Sequence, residues 1–124
     1  MNWIAVAMGG AIGACSRYAI ALYFASHASR FPVATFLSNG VGCFLMGFGF
    51  VCIAQKMLLP DIWRQFLLVG LLGALTTYST FSVEVVGLLQ SNEYKLAGIY
   101  VLLTLFTCIS SVALGMIVAK QIMP

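Results

Sequence analysis

Gly70-Leu71-Leu72-Gly73-Ala74-Leu75-Thr76-Thr77-Tyr78-Ser79-Thr80-Phe81-Ser82 is the stretch on which the fold turns. It falls largely within an uncharged run from 65 to 83, and its last seven positions hold five Ser or Thr hydroxyls and a tyrosine. A helix of about 20 apolar residues crosses the hydrocarbon core of a bilayer. The run is long enough, yet its centre is dense in hydroxyls. β-Branched and hydroxylated residues compete with helical hydrogen bonding, so a local break in the helix is expected. Irregular backbone survives at membrane depth only when it is buried in protein or lines a polar cavity. Carbonyls freed there are ready ligands for a small cation. The alternative is an intact helix whose hydroxyls bond back to their own backbone.

The remainder of the chain points to the same solvent. Of 124 residues, 62% are hydrophobic and 7% charged, whereas a water-exposed surface carries roughly a quarter to a third charged residues. A soluble fold is excluded. Uncharged runs at 31–55 and 96–119 are again long enough to span. Near the N-terminus, Arg17 interrupts an apolar stretch that resumes through Phe24. A signal peptide would place basic residues ahead of a shorter apolar core; here no Lys or Arg precedes the run. The expectation is one all-α integral membrane domain over 1–124, with four spans near 3–25, 33–55, 62–89 and 96–119. Three spans is the alternative.

Short polar segments separate the spans: His27, Ser29, Arg30 and Pro32; then Gln55 to Asp61; then Ser91, Asn92, Glu93 and Lys95. Connections this short make the helices sequential neighbours, up and down. With four spans, Lys56, Arg64 and Lys120 share one face, and Arg17, Arg30 and Lys95 the other. An excess of Lys and Arg marks the cytoplasmic side, and here there is almost none. Either another feature fixes the orientation or the chain inserts both ways, in which case the natural assembly is an antiparallel homodimer with its twofold axis in the membrane plane.

Small residues mark close helix approach in lipid: Gly9 and Gly13 in the first span, Gly42, Gly47 and Gly49 in the second, Gly70 and Gly73 in the third. The four cysteines, Cys15, Cys43, Cys52 and Cys108, show no metal or redox spacing and read as small packing residues. The sole histidine, His27, has no nucleophile or metal partner in sequence, so no enzyme is expected. With no charged tail, no nucleic-acid partner is expected either.

The side chains that carry chemistry are neutral. Tyr78 and Phe81 share a helical face, and Ser79 and Ser82 share another; ring edges carry partial positive charge. Asn39 offers two amide donors and follows Thr35 and Ser38 in the second span. Tyr100, Thr104 and Cys108 form a weakly polar stripe in the fourth. A proton-coupled cation exporter of the small multidrug-resistance type is the rival four-span dimer, but it needs a carboxylate in its binding site, in the first span. The only acid in a span is Glu84, in the third. Neutral donors with one embedded arginine suit a small anion better.

These residues carry a resemblance. Gly9-Gly10-Ala11-Ile12-Gly13-Ala14-Cys15-Ser16-Arg17-Tyr18, Ala34-Thr35-Phe36-Leu37-Ser38-Asn39 with Gly42 and Gly47, and Gly73 through Ser82 resemble the Fluc (CrcB-type) fluoride channels along essentially the whole chain. The resemblance implies a dual-topology antiparallel homodimer in the inner (plasma) membrane, with two fluoride pores and a structural sodium ion at the centre of the interface. It assigns the sodium to main-chain carbonyls at Gly73 and Thr76. It places Asn39 in the pore, gives Tyr78 and Phe81 the ring-edge contacts to fluoride, and puts Ser79, Thr80 and Ser82 on a polar track. Thr35, Tyr100 and Thr104 are weaker pore assignments. Glu84 matches an acid near one pore mouth, and Arg17 an embedded arginine with a vestibular or structural role. The implied biology is passive leak of accumulated fluoride out of a cell, and so fluoride resistance. Two departures stand out: Tyr78 where many relatives carry phenylalanine, and Ala74 where many carry a second glycine. The first bears on conduction rate rather than identity, and the second is expected to tighten the helix break without abolishing it.

Overall fold

A computed structural model describes residues 1–26, 29–56 and 58–123. Four helices are long and apolar enough to cross a membrane: α1 (Asn2–Ala25), α2 (Val33–Gln55), α3 (Asp61–Gln90) and α4 (Tyr94–Ile122). No strand occurs among the described residues. The observed ends fall close to the expected ones, because charged and turn-forming residues stop each apolar run. Asn92 makes the α3 to α4 turn with φ 60°, a left-handed conformation that asparagine tolerates better than most side chains.

The helices pair as α1 with α3 and α2 with α4, and glycine explains how closely. A Cβ at Gly9 or Gly13 would overlap the Phe66 or Leu71 carbonyl of α3. Across the other seam, Gly47 faces the Val112 carbonyl and Gly115 the Phe44 carbonyl, again with no room for a Cβ. In lipid, where apolar side chains gain nothing by leaving their solvent, backbone approach of this kind is a principal source of association. Gly115 carried no expectation from the sequence, since its partner face on α2 is visible only once the helices are paired.

Both outer faces are apolar. Trp3, Leu22, Val83, Leu102, Phe106 and Ile109 are among many large hydrophobic side chains left exposed, the arrangement expected when the surrounding medium is hydrocarbon. The compact apolar cluster, with Val51, Cys52, Ile53, Leu68, Leu72 and Ala119, sits toward one end of the bundle. The polar residues gather elsewhere, around the middle of α3. At the ends, Arg30 pairs with Glu93, and the Lys56 ammonium donates to the Met123 carbonyl. The first and third connections therefore share one end, and the second connection and the C-terminus share the other.

Hydrogen bonding within α3 is uneven. Gln65–Leu72 adopts the wider π-helical repeat, and a short α-helical turn, Gly73–Leu75, follows. Thr76 (φ −84°, ψ 152°) and Thr77 (φ −153°, ψ 120°) are extended, and helix resumes at Tyr78 and runs to Gln90. Thr77 caps this second segment: its Oγ1 accepts from the Thr80 N–H at 3.1 Å, satisfying one of the donors a helix N-terminus leaves open.

Candidate functional site

The extended pair Thr76 and Thr77 changes the partners of several backbone groups, and the surrounding side chains take them up. A continuous helix would direct the Thr77 N–H to Gly73. Instead it donates to Asn39 Oδ1 at 2.7 Å, while Asn39 Nδ2 donates to the Thr77 carbonyl at 3.0 Å. One side chain of α2 thus satisfies both main-chain groups of Thr77. The Ala74 carbonyl likewise receives the Arg17 Nε–H of α1 at 3.1 Å, and Arg17 Nη1 reaches Thr80 Oγ1 at 3.4 Å. Gly42 of α2 faces the Thr76 methyl so closely that a Cβ would collide with it. α2 therefore closes on these two residues, and α1 on the residues either side of them.

Two cavities flank the pair. One, of about 410 Å³, is lined by Asn39, Gly73, Thr76, Tyr78, Phe81 and Thr104 among others. Its lining carries no charged side chain. The other, of about 370 Å³, is lined by Arg17, Thr35, Ser38, Thr80 and Glu84 and by neighbouring apolar residues. Each holds one buried hydroxyl that finds no partner among the described residues, Thr104 Oγ1 in the first and Ser38 Oγ in the second. A buried hydroxyl without a partner is costly, at about 1–3 kcal/mol.

Two aromatic rings, Phe81 and Tyr78, line the uncharged cavity. Phe81 is buried, with its ring centroid 5.6 Å from that of Tyr78 and 5.1 Å from that of Tyr100. Tyr78 is 76% exposed and so lies on the open side. Tyr100 is fully buried, and its hydroxyl donates to Glu84 Oε2 at 2.7 Å; Thr35 Oγ1 donates to Glu84 Oε1, also at 2.7 Å. Both bonds have the usual O–H···O length. Two of the expected pore hydroxyls thus turn their hydrogens toward Glu84.

The sequence-derived residues divide accordingly. Asn39, Tyr78, Phe81, Thr104, Gly73 and Thr76 come together around one cavity, and Arg17, Thr35, Thr80 and Glu84 around the other. Tyr100 bridges them through Phe81 and Glu84 and lines neither. Ser79 contacts Thr77 Oγ1 at 3.2 Å, and Ser82 bonds back to the Tyr78 carbonyl at 2.9 Å; neither faces a cavity. Ser82 behaves as a hydroxyl on an intact helix does. Sequence reasoning assigned no role to Thr77, whose signal was its place as a helix N-cap before Thr80. Ser38 was given no role of its own, and Cys43 and Cys108 were read as packing residues, with Cys108 also on a weakly polar stripe. His27 lies outside the described residues.

Two main-chain carbonyls in and beside the extended pair lose their helical donors. The Thr80 N–H, which a continuous helix would direct to the Thr76 carbonyl, goes to Thr77 Oγ1, just as the Thr77 N–H goes to Asn39. Gly73 and Thr76 thus keep carbonyls without their helical donors, and Gly73 is exposed. Neutral carbonyl oxygens are hard ligands of the kind that coordinates small cations at discontinuous membrane helices.

The fold and this site define a four-span membrane protein with an uncharged, donor-lined cavity where two other helices close around an extended pair in the third. Residues 4–116 match the family described as CrcB-like protein, Camphor Resistance (CrcB), and the chain belongs to that family. It is 40% identical to the fluoride-specific ion channel FluC of Saccharophagus degradans over 97% of this chain and 90% of that one. It is 39% identical to the FluC of Magnetococcus marinus over 94% and 96%, and 41% identical to that of Aeromonas salmonicida over 98% of each. These relatives bear the name of an ion channel and not of an enzyme. The chain is a multi-pass membrane protein.

Proposed function

We propose that this protein is a fluoride-selective channel through which cytoplasmic fluoride leaves passively across the inner membrane. The observation that carries this reading is the Thr104 hydroxyl: buried, without a partner, and lining an uncharged cavity together with Asn39 and Phe81. The name shared by the relatives supplies the identity of the ion.

Fluoride is small and strongly hydrated, so a narrow path must replace its water with hydrogen-bond donors. Thr104 offers its O–H. Asn39 commits one amide hydrogen to Thr77 and carries a second. The ring edges of Phe81 and Tyr78 add weak positive potential. None of these is a fixed positive charge, so the ion is held at several weak sites and can leave. Arg17 stands on the other cavity, where its charge draws anions toward the path while its hydrogen bonds hold Ala74 and Thr80. Glu84, held by Thr35 and Tyr100, sets the polarity of that same mouth.

The working unit in this reading is an antiparallel homodimer of dual topology with two pores. Its support is the even division of basic residues between the two ends, together with the exposure of Gly73, Tyr78 and Ser79. A twofold axis through this face would bring two copies of the Gly73 and Thr76 carbonyls together as sodium ligands. Bound sodium would supply a fixed positive charge at the interface. The exporter alternative finds no carboxylate on α1.

Reconstitution in liposomes with a fluoride electrode tests the assignment. Fluoride efflux at neutral pH, without a proton gradient, is the expected result. Drug and proton exchange in the absence of fluoride flux would replace it with the exporter reading. Tagging the C-terminus tests dual topology: both sides should be accessible across a population, and one accessible side in every molecule refutes it.

A further inference from the structure

Cys43 of α2 and Cys108 of α4 are neighbours on facing sides of the seam between these helices, where both line the uncharged cavity. Both are free and partly buried. Each is placed by its helix: Cys43 lies one turn beyond Asn39, and Cys108 one turn beyond Thr104, so thiols and donors share the same faces. Conduction as proposed above makes no use of either sulfur.

Two sulfurs with no further ligand select a particular class of ion. Among the described residues no group of three or more His, Cys, Asp or Glu gathers in one place, so a four-coordinate zinc site is not formed. Soft thiolates favour soft metals, and a d10 ion of linear preference needs only two ligands. Charge narrows the choice further. Two thiolates around a divalent cation make a neutral complex, whereas around a monovalent one they leave a net negative charge, and an uncompensated charge in an apolar setting is costly. We propose that Cys43 and Cys108 form a two-thiolate site for a soft, linearly coordinated divalent cation, mercuric ion being the type case, whose occupancy blocks the cavity to anions. Each thiol releases its proton to solvent as its sulfur bonds the metal, and the metal keeps its oxidation state.

The site stands on the geometry of the two thiols; the block rests on the fluoride-channel reading. Purified protein carrying Cys15→Ala, which removes an exposed thiol of α1, is titrated with mercuric nitrate while sulfur-to-mercury charge-transfer absorbance is followed. One bis-thiolate complex per chain is expected. It should be lost in Cys43→Ser and, independently, in Cys108→Ala, so a folding failure in one variant leaves the other to decide. An unchanged spectrum in a folded variant, or a parent that never develops the bis-thiolate band, overturns the site. Silver nitrate should bind more weakly than mercuric ion; the reverse order overturns the charge argument. In proteoliposomes, mercuric ion should stop fluoride efflux by the parent and excess dithiol should restore it, each variant being compared with its own metal-free rate. Full occupancy with undiminished efflux overturns the block. A parent with no fluoride efflux even without metal refutes the channel reading instead, and the absorbance still decides the site.

Discussion

Asn39 Nδ2 donates to the Thr77 carbonyl at 3.0 Å while the Thr77 N–H donates to Asn39 Oδ1 at 2.7 Å, so one amide closes both ends of a backbone unit that α3 leaves open. The pair explains why an asparagine sits in an apolar span. Asn39→Ala strips partners from a half-buried N–H and a half-buried carbonyl, at a cost of up to about 1–3 kcal/mol for each group left unsatisfied. The expected outcome is a lower midpoint of thermal unfolding in detergent together with a strong loss of fluoride efflux. Wild-type stability in Asn39→Ala would show that Thr77 finds other partners.

Phe81 and Tyr78 should behave differently although they lie three residues apart. Phe81 is 6% exposed and packs against Tyr100, whereas Tyr78 is 76% exposed. Phe81→Ile keeps most of the volume and removes the ring edge. Efflux should fall strongly while size-exclusion elution is unchanged. Tyr78→Phe keeps the ring and should leave stability within about 0.5 kcal/mol, as exposed substitutions generally do. Undiminished efflux in Phe81→Ile would take that ring out of the path.

Arg17 holds the Ala74 carbonyl and the Thr80 hydroxyl. Hydrogen bonds to charged groups contribute about 1.5–3 kcal/mol each. Arg17→Met should therefore destabilise the fold measurably in urea or thermal unfolding. Arg17→Lys should recover part of that loss, since a single ammonium lacks the fork that lets guanidinium reach two acceptors at once. Equal stability of the two variants would argue against the bridging role.

Glycines of one helix provide a matched pair. Gly13 has no room for a Cβ against Leu71, and Gly10 has nothing within 4 Å. Gly13→Ala should cost about 1–3 kcal/mol, the usual range for overpacking. Gly10→Ala should be neutral or stabilising by up to about 1 kcal/mol, because alanine is the better helix former. Thermal unfolding of both in the same detergent makes the comparison.

Much of this was legible in the residues because the bilayer imposes so few solutions. Uncharged runs bounded by Arg30, Lys56, Arg64, Lys95 and Lys120 located the spans, and the hydroxyl density from Thr76 to Ser82 marked the part of α3 that departs from simple helix. The site was legible only in part. Periodicity placed Tyr78 with Phe81, and Tyr100 with Thr104, yet it gave no sign that Tyr100 and Thr35 direct their hydrogens to Glu84. Nor did it show that the Ser82 hydroxyl, which the resemblance places on a polar track, donates to the Tyr78 carbonyl one turn back.

The sequence by itself determined that the chain belongs in lipid, carries four runs long and apolar enough to cross it and offers mainly neutral donors, since these follow from composition and local period. Only the tertiary structure decided which donors remain free. That choice depends on contacts between residues far apart in the chain: Asn39 with Thr77, Arg17 with Ala74, Glu84 with Thr35 and Tyr100, Cys43 with Cys108. A hydroxyl or thiol has the same chemistry wherever it stands, but hydrogen bonding is exclusive. Until the helices pair, nothing says that the hydroxyl of Thr104 will be left without a partner.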